Sequence, residues 1–334
     1  MIRRITATLV LLSLSAIPIH AQDIQVDTIT DDVIVVHEGL VKLTAVRTDS
    51  GIVVIDAFFE LESAQKARHL ILESFPGLPI TYVINTHHHA DHVRGNQYFK
   101  EAAIIAHVEV ERYMQEDYER LMNKYGHYRE KISELKGQLE NREDQNDQDS
   151  QKLKEEIAIW EGARTFLQEY ELTLPSIQIT SSAILRFGSK TFDILYDGTA
   201  HTTNDMVVLD REDSVLIMGD LLFYRKSYIM NRGSDILNWI KILDGLITRQ
   251  DKYTYVISGH GGVVQDVEAL VEQRDYLKNI YGYVTKARQK GLSLAQAQEE
   301  LAFDQYKDYI DYDRIGSDVE ACWYQLEQKE QNEK

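Results

Sequence analysis

The sequence predicts an α/β fold. β-branched runs of strand length alternate with amphipathic helical stretches along most of the 334 residues, and four histidine and aspartate clusters stand where strands end. One heptad-spaced stretch, between residues 108 and 170, interrupts that alternation.

In chain order, short β-branched runs occupy residues 33–46, and 52–56 read as a buried strand ending on the carboxylate of Asp56. The spacing predicts an amphipathic helix over 61–74. Pro76, Gly77 and Pro79 punctuate a turn, residues 80–85 form the next strand, and Thr86-His87-His88-His89-Ala90-Asp91-His92 begins where it stops. After a short strand at 103–106, apolar or aromatic residues recur at Met114, Tyr118, Leu121, Tyr125, Tyr128, Ile132, Leu135 and Leu139, with gaps alternating four and three. Residues 141–151 are almost wholly polar. The pattern resumes at Leu153, Ile157, Trp160 and Leu167 and stops before Pro175, which predicts an antiparallel helical hairpin. Three roles fit such a hairpin: a passive solvated arm, a homodimerisation arm, or a cover for a site. Strands are expected again at 177–180, 183–187, 191–195, 206–209, 215–218 and 253–257. Helices are expected at 235–247 and 265–290, and a charged helical tail from 293 to the end.

Composition narrows the function classes. A net charge of -18 leaves no basic stripe able to neutralise phosphates, so nucleic acid is not expected as a partner. Arg3 and Arg4, the apolar run 5–19 and the small Ala21 read as a signal peptide removed after residue 21, which predicts a secreted or periplasmic protein. No later stretch approaches the roughly 18 apolar residues of a spanning helix, so the mature protein is expected to have no membrane span. The single cysteine, Cys322, excludes an internal disulfide and reads as a packing residue.

The chemistry concentrates in four clusters: His87, His89, Asp91 and His92; His201 in Gly198-Thr199-Ala200-His201-Thr202; Asp220 behind Gly219; and His260 in Gly259-His260-Gly261. They offer five imidazoles and two carboxylates. In extended backbone, residues two apart face the same way, so His87 and His89 can converge on one ion while His88 points elsewhere. A catalytic zinc takes three protein ligands and keeps one position open, so these donors serve two ions.

His-x-His-x-Asp-His at 87–92, Gly-x-x-His-Thr around His201, Gly-Asp at Asp220 and Gly-His-Gly at His260 together resemble the metallo-β-lactamase superfamily, over roughly residues 33–289. The resemblance implies a four-layer αββα sandwich with the site at one edge between the sheets, and a structural rather than ligating Asp56. Residues 22–291 would form this domain, with 108–170 as a helical hairpin insertion and 292–334 as a helical C-terminal tail. By position, His87, His89 and His201 would bind one metal and Asp91, His92 and His260 the other, with Asp220 bridging. Two zinc ions are implied, with iron or manganese as alternatives, and so is a bridging hydroxide, oriented by Asp91, that attacks a carbonyl ester, thioester, lactone or amide of a small molecule. Thr202, Asn204, Tyr224, Arg225 and Tyr228 follow ligand positions and are the candidate substrate contacts; Phe58 and Phe59 follow the early strand. The best-known class B β-lactamases carry cysteine where this chain has Asp220, and their nearby lysine has no counterpart in register, Lys226 being displaced. This moves the expectation from a periplasmic β-lactamase towards relatives with aspartate, such as thioesterases and lactonases. A nonhydrolytic metal enzyme and a metal-binding assembly protein acting through the hairpin are the competing readings.

Overall fold

The computed structural model describes residues 24–332. The expected signal peptide lies outside the described residues.

Two sheets face each other. The first runs in chain order through β1 (Gln25–Thr28), β2 (Val33–Glu38), β3 (Val41–Thr48), β4 (Gly51–Ile55), β5 (Ile80–Ile84), β6 (Ala103–His107) and β7 (Ile177–Ile179). Its first four strands are antiparallel neighbours, and from β4 to β7 the pairing is parallel. The parallel half requires crossovers. The helix α1 (Leu61–Ser74) supplies one, the short α2 (Ala90–Val93) with the turn after it a second, and the hairpin of α3 (Val108–Glu140) and α4 (Gln148–Glu169) the third. The second sheet, β8 (Ala183–Phe187), β9 (Lys190–Leu195), β10 (Val207–Asp210), β11 (Val215–Ile217) and β12 (Tyr255–Ile257), is antiparallel except for the β11–β12 pair. Its outer face carries α5 (Ile236–Ile247) and α6 (Val267–Gln289), with α7 (Leu294–Glu299) and α8 (Ile315–Asn332) completing the chain.

Side-chain alternation fixes the four layers. In β2 and β4, Val33, Val35, Val53 and Ile55 point between the sheets, where they meet Phe192, Ile194, Val208, Val215 and Ile217. Their neighbours Ile34, Val36, Ile52 and Val54 point the other way, against Ala64, Ala67 and Ile71 of α1. On the far side Val207, Leu209 and Leu216 bury against Trp239, Leu243, Leu277 and Ile280. Fully burying each such aliphatic side chain contributes roughly 1.5–3 kcal/mol. Strands buried on both faces read as continuous apolar runs, which is why residues 52–55 were legible.

The edge strand β1, largely exposed and of mixed polarity, gave no strand signal. The expected helical C-terminal tail is present as α7 and α8, with two 3-10 turns between them and Asp311 left-handed at φ 57°. It packs against the domain: Phe303, Tyr306, Ile315, Val319 and the free Cys322 are buried in the α5–α6 core. Among the described residues no helix is long and apolar enough to cross a membrane.

The hairpin closes its own seam with Ile132, Leu135, Ile157 and Leu167, and Lys136 pairs with Glu161 at 2.7 Å. Its base is docked: Val110 and Met114 bury against Val93 and Ala106, and Arg94 pairs with Asp117 at 2.9 Å beneath the Phe59 and Phe166 rings.

Candidate metal centre

The four clusters converge at one end of the sandwich. β5 ends at Ile84, and Asn85 then fixes the histidine loop from below, its amide donating to the His92 carbonyl (3.0 Å) and to Asn96 Oδ1 (3.0 Å), while Asn96 donates back to Asn85 Oδ1 at 2.9 Å. β4 delivers Asp56, left-handed at φ 67°, whose carboxylate accepts from Thr86 N (2.8 Å), Thr86 Oγ1 (2.9 Å) and His92 Nδ1 (2.8 Å). Asp56 therefore orients His92 without reaching the centre itself. Asp205 closes the turn after His201 by accepting from Thr202 N and Oγ1, both at 2.7 Å. Under the His260 loop, Lys42 of β3 donates to Ser258 O (3.0 Å) and Oγ (2.7 Å). Burial pushes the Lys42 ammonium down to about 7 against the pull of Asp220.

The donors form two groups, His87, His89, His201 and Asp220, and Asp91, His92 and His260. Asp220 faces both. Its Oδ2 lies 3.5 Å from His87 Nε2 and 3.5 Å from His201 Nε2, whereas Oδ1 lies 3.2 Å from His92 Nε2 and 3.3 Å from His260 Nε2. Asp91 Oδ2 is 3.0 Å from His260 Nε2, and His89 Nδ1 is 3.2 Å from His201 Nε2. His88, as expected, points away, to Asn204.

These residues fit a metal. His87 Nε2, His92 Nε2 and Asp220 Oδ1 are buried with no hydrogen-bond partner, which a protein interior rarely tolerates and which a cation would satisfy. Burial drives His87 well below its ordinary value and His89 and His201 to about 4, so all three present lone pairs at neutral pH. Burial also opposes charge on His260 and His92, yet Asp220 and Asp91, joined at His92 by Asp56, outweigh it, lifting His260 to about 9 and His92 well above normal. That is the uncompensated negative charge a divalent ion would balance. Burial would raise Asp91 and Asp220, but the facing imidazoles hold both well below the carboxylate range.

A cavity of about 530 Å³ opens over the centre, walled by Tyr113, Phe223, Lys226, Tyr228, Ile229 and Met230. A second, of about 600 Å³, shares His88, His89, Asp91 and Tyr113 with it. Of the five candidate substrate contacts, Thr202 and Tyr228 line the first cavity. Asn204 is buried beneath it, Tyr224 lines a separate hollow beside Gln265, and Arg225 turns outward to Glu272 at 2.9 Å. Of the two early aromatics, Phe58 is a core residue and Phe59 stacks on the hairpin's Phe166. Sequence reasoning missed Tyr113, which stacks on His88 at 4.1 Å between ring centres, and Lys42. Tyr113 sits one place off the hairpin's heptad seam, the one signal that could have separated it from the packing residues. Lys42 has no signal beyond being a cation inside a strand.

A profile of the metallo-beta-lactamase superfamily matches residues 38–260. No curated protein matches. Among solved structures, a double mutant of the sec-alkyl sulfatase PisA1 superposes with a TM-score of 0.67 at 17% identity, over 92% of this chain and 50% of that one. The metallo-beta-lactamase from Pontibacter korlensis gives 0.54 at 15% identity, over 77% of this chain and 99% of that one. DIM-1 metallo-beta-lactamase gives 0.54 at 13% identity, over 78% and 99%. The chain thus spans about half the length of the sulfatase it resembles, and at these identities the likeness is one of fold. With the profile covering the site and the four layers built around it, the chain belongs to the metallo-β-lactamase superfamily.

Proposed function

We propose that this protein is a dinuclear zinc hydrolase that cleaves a carbonyl ester, thioester, lactone or amide bond of a small molecule outside the cytoplasm. The observation that carries the reading is Asp220, whose two oxygens each face a different set of imidazoles. His87, His89 and His201 would hold one ion, Asp91, His92 and His260 the other, with Asp220 between them. Two divalent ions supply, when bound, the Lewis acidity that brings the pKa of water towards neutrality and stabilises negative charge developing on oxygen.

The chain's own residues do the rest. Asp91, held ionised by His92 and His260, orients the attacking water by accepting its hydrogen bond. Asp56 and the Ile229 carbonyl fix the rings of His92 and His201 from behind. Phe223, Ile229, Met230 and the Tyr113 ring form an apolar wall that excludes bulk water from the acyl group. Lys226 is engaged by Asp311, so the cavity wall carries no free cation from that side chain to hold a substrate carboxylate, which argues against a β-lactam. Because α3 contributes Tyr113 to the wall, we assign the hairpin to covering the site ahead of homodimerisation or assembly. The extracytoplasmic placement rests on Arg3, Arg4 and the apolar run after them.

The test is a zinc-replete panel of ester, thioester, lactone, amide and sulfate-ester substrates, with metal counted per chain. Two zinc ions and turnover of a carbonyl substrate are expected, both falling in Asp220→Ala, with activity down on the order of 100-fold or more. Turnover confined to sulfate esters would replace the substrate class. Two ions and full activity in Asp220→Ala would remove the bridging role.

A further inference from the structure

We propose that Asp318, on α8 and outside the family-matched region, is a positioning residue of the metal centre: it fixes the 228–230 loop whose Ile229 carbonyl sets the ring of His201. The inference rests on the reading of His201 as a ligand.

Asp318 is completely buried and has no cationic partner among the described residues. Its two oxygens instead take four donors: Tyr228 N at 2.8 Å and the Tyr276 hydroxyl at 2.5 Å on Oδ2, Ile229 N at 2.9 Å and Met230 N at 2.8 Å on Oδ1. Three consecutive amides can converge on one anion because Tyr228 is left-handed, at φ 59°, a conformation disfavoured for an aromatic residue. Burial and the neighbouring carboxylate push the Tyr276 phenol well above its ordinary value, so it keeps the proton it donates. Burial raises the Asp318 carboxyl, and the Tyr276 hydroxyl and the three amides oppose that rise; their four donors match the four lone-pair sites of a carboxylate.

The loop so gripped holds His201 at three points. Ile229 O accepts from Nδ1 at 2.9 Å, and Asn231 Nδ2 (3.0 Å) and Ser234 Oγ (2.9 Å) donate to the His201 carbonyl. With the proton held on Nδ1, the Nε2 lone pair is left facing Asp220. A second pairing, Ser227 N to Ile310 O at 2.8 Å and Ile310 N to Arg225 O at 2.9 Å, ties the same stretch to the C-terminal segment. The path from α8 to the centre is therefore Asp318, the loop backbone and the His201 ring.

The full chain carrying Asp318→Asn places an amide N–H₂ against the loop donors while preserving side-chain volume. In zinc-free protein, ¹⁵N NMR of the imidazoles should show His201 as the Nδ1–H tautomer in the parent and as a mixture in Asp318→Asn. Chelator competition with zinc alone should show a loss of roughly 10–100-fold at one of the two sites. If Asp318→Asn does not fold, Tyr276→Phe removes one of the four donors and should move the same two readouts in the same direction by less. An unchanged His201 tautomer and unchanged zinc affinities in whichever variant folds overturn the proposal. His201→Ala separates the premises: if it still binds two zinc ions, the ligand reading fails, while the tautomer comparison, made without metal, still decides what Asp318 does.

Discussion

Gly259 shows how closely the centre is set at the level of single atoms. A methyl group there would lie 2.2 Å from Asp220 Oδ1 and 2.6 Å from the Gly219 carbonyl, and the latter is backbone that cannot swing aside. Gly259→Ala is therefore expected to displace the Asp220 carboxylate and weaken zinc binding by roughly tenfold or more, read by chelator competition. Parent affinity in that variant would mean that the loop relaxes freely. At this scale the sequence was most informative where chemistry is local: six of the seven donors sit in short motifs with their glycines or histidines beside them, and His88 was already separable from His87 and His89 by two-residue periodicity. Asp220, with one glycine before it, was legible as a donor, and its bridging role came from the resemblance. Asp318 was illegible because it meets Ile229 across 89 residues of chain through backbone amides, which no side-chain pattern records.

Among the elements, the hairpin changed most in meaning between sequence and structure. Heptad spacing announced two helices and their seam, and α3 and α4 do bury Ile132, Leu135, Ile157 and Leu167 between them. The spacing could not tell which face of the first turns would meet the domain. Met114 points into it, and Tyr113, one residue earlier, turns to the His88 ring at the cavity. Tyr113→Ala is expected to keep the parent's metal content and raise KM roughly five- to tenfold with kcat nearly unchanged, since it removes wall contact rather than chemistry. Steady-state kinetics on the substrate found in the panel checks this. A fall in kcat alone would move Tyr113 into the reaction itself.

Over the whole molecule, carboxylates gather at both ends of the sandwich. At one end Asp91 and Asp220 face imidazoles; at the other, Lys190 is met by Asp213 and by Asp32 at 2.9 Å, with Asp210 buried beside them. Burial, and then the hydrogen bond to Asp213, push Asp210 up to about 7. Its folded value lies above the unfolded 3.8, so the folded state keeps a proton that the unfolded state has already released. Stability accordingly falls as pH rises from about 4 to about 7 and levels off above. Asp210→Asn keeps the side chain's size and an oxygen for the Glu212 and Asp213 amides without titrating. Its thermal midpoint should exceed the parent's by more at pH 8 than at pH 5, and an equal difference at both would show that Asp210 is already ionised. The layers themselves were legible, through alternation in the strands and through the family resemblance. The docking of the C-terminal segment was not, because a charged, helix-forming stretch gives no sign of which of its few apolar residues will be covered.

Cys322 lies inside that docked segment, fully covered, with burial pushing its thiol up to about 12. A thiol that is both shielded and protonated reacts with an alkylating reagent only when α8 lifts away. The chain therefore carries a built-in clock for the undocking of its own last helix: the labelling rate of one native side chain measures how often the grip on the His201 loop is released, with no tag or added probe to disturb it.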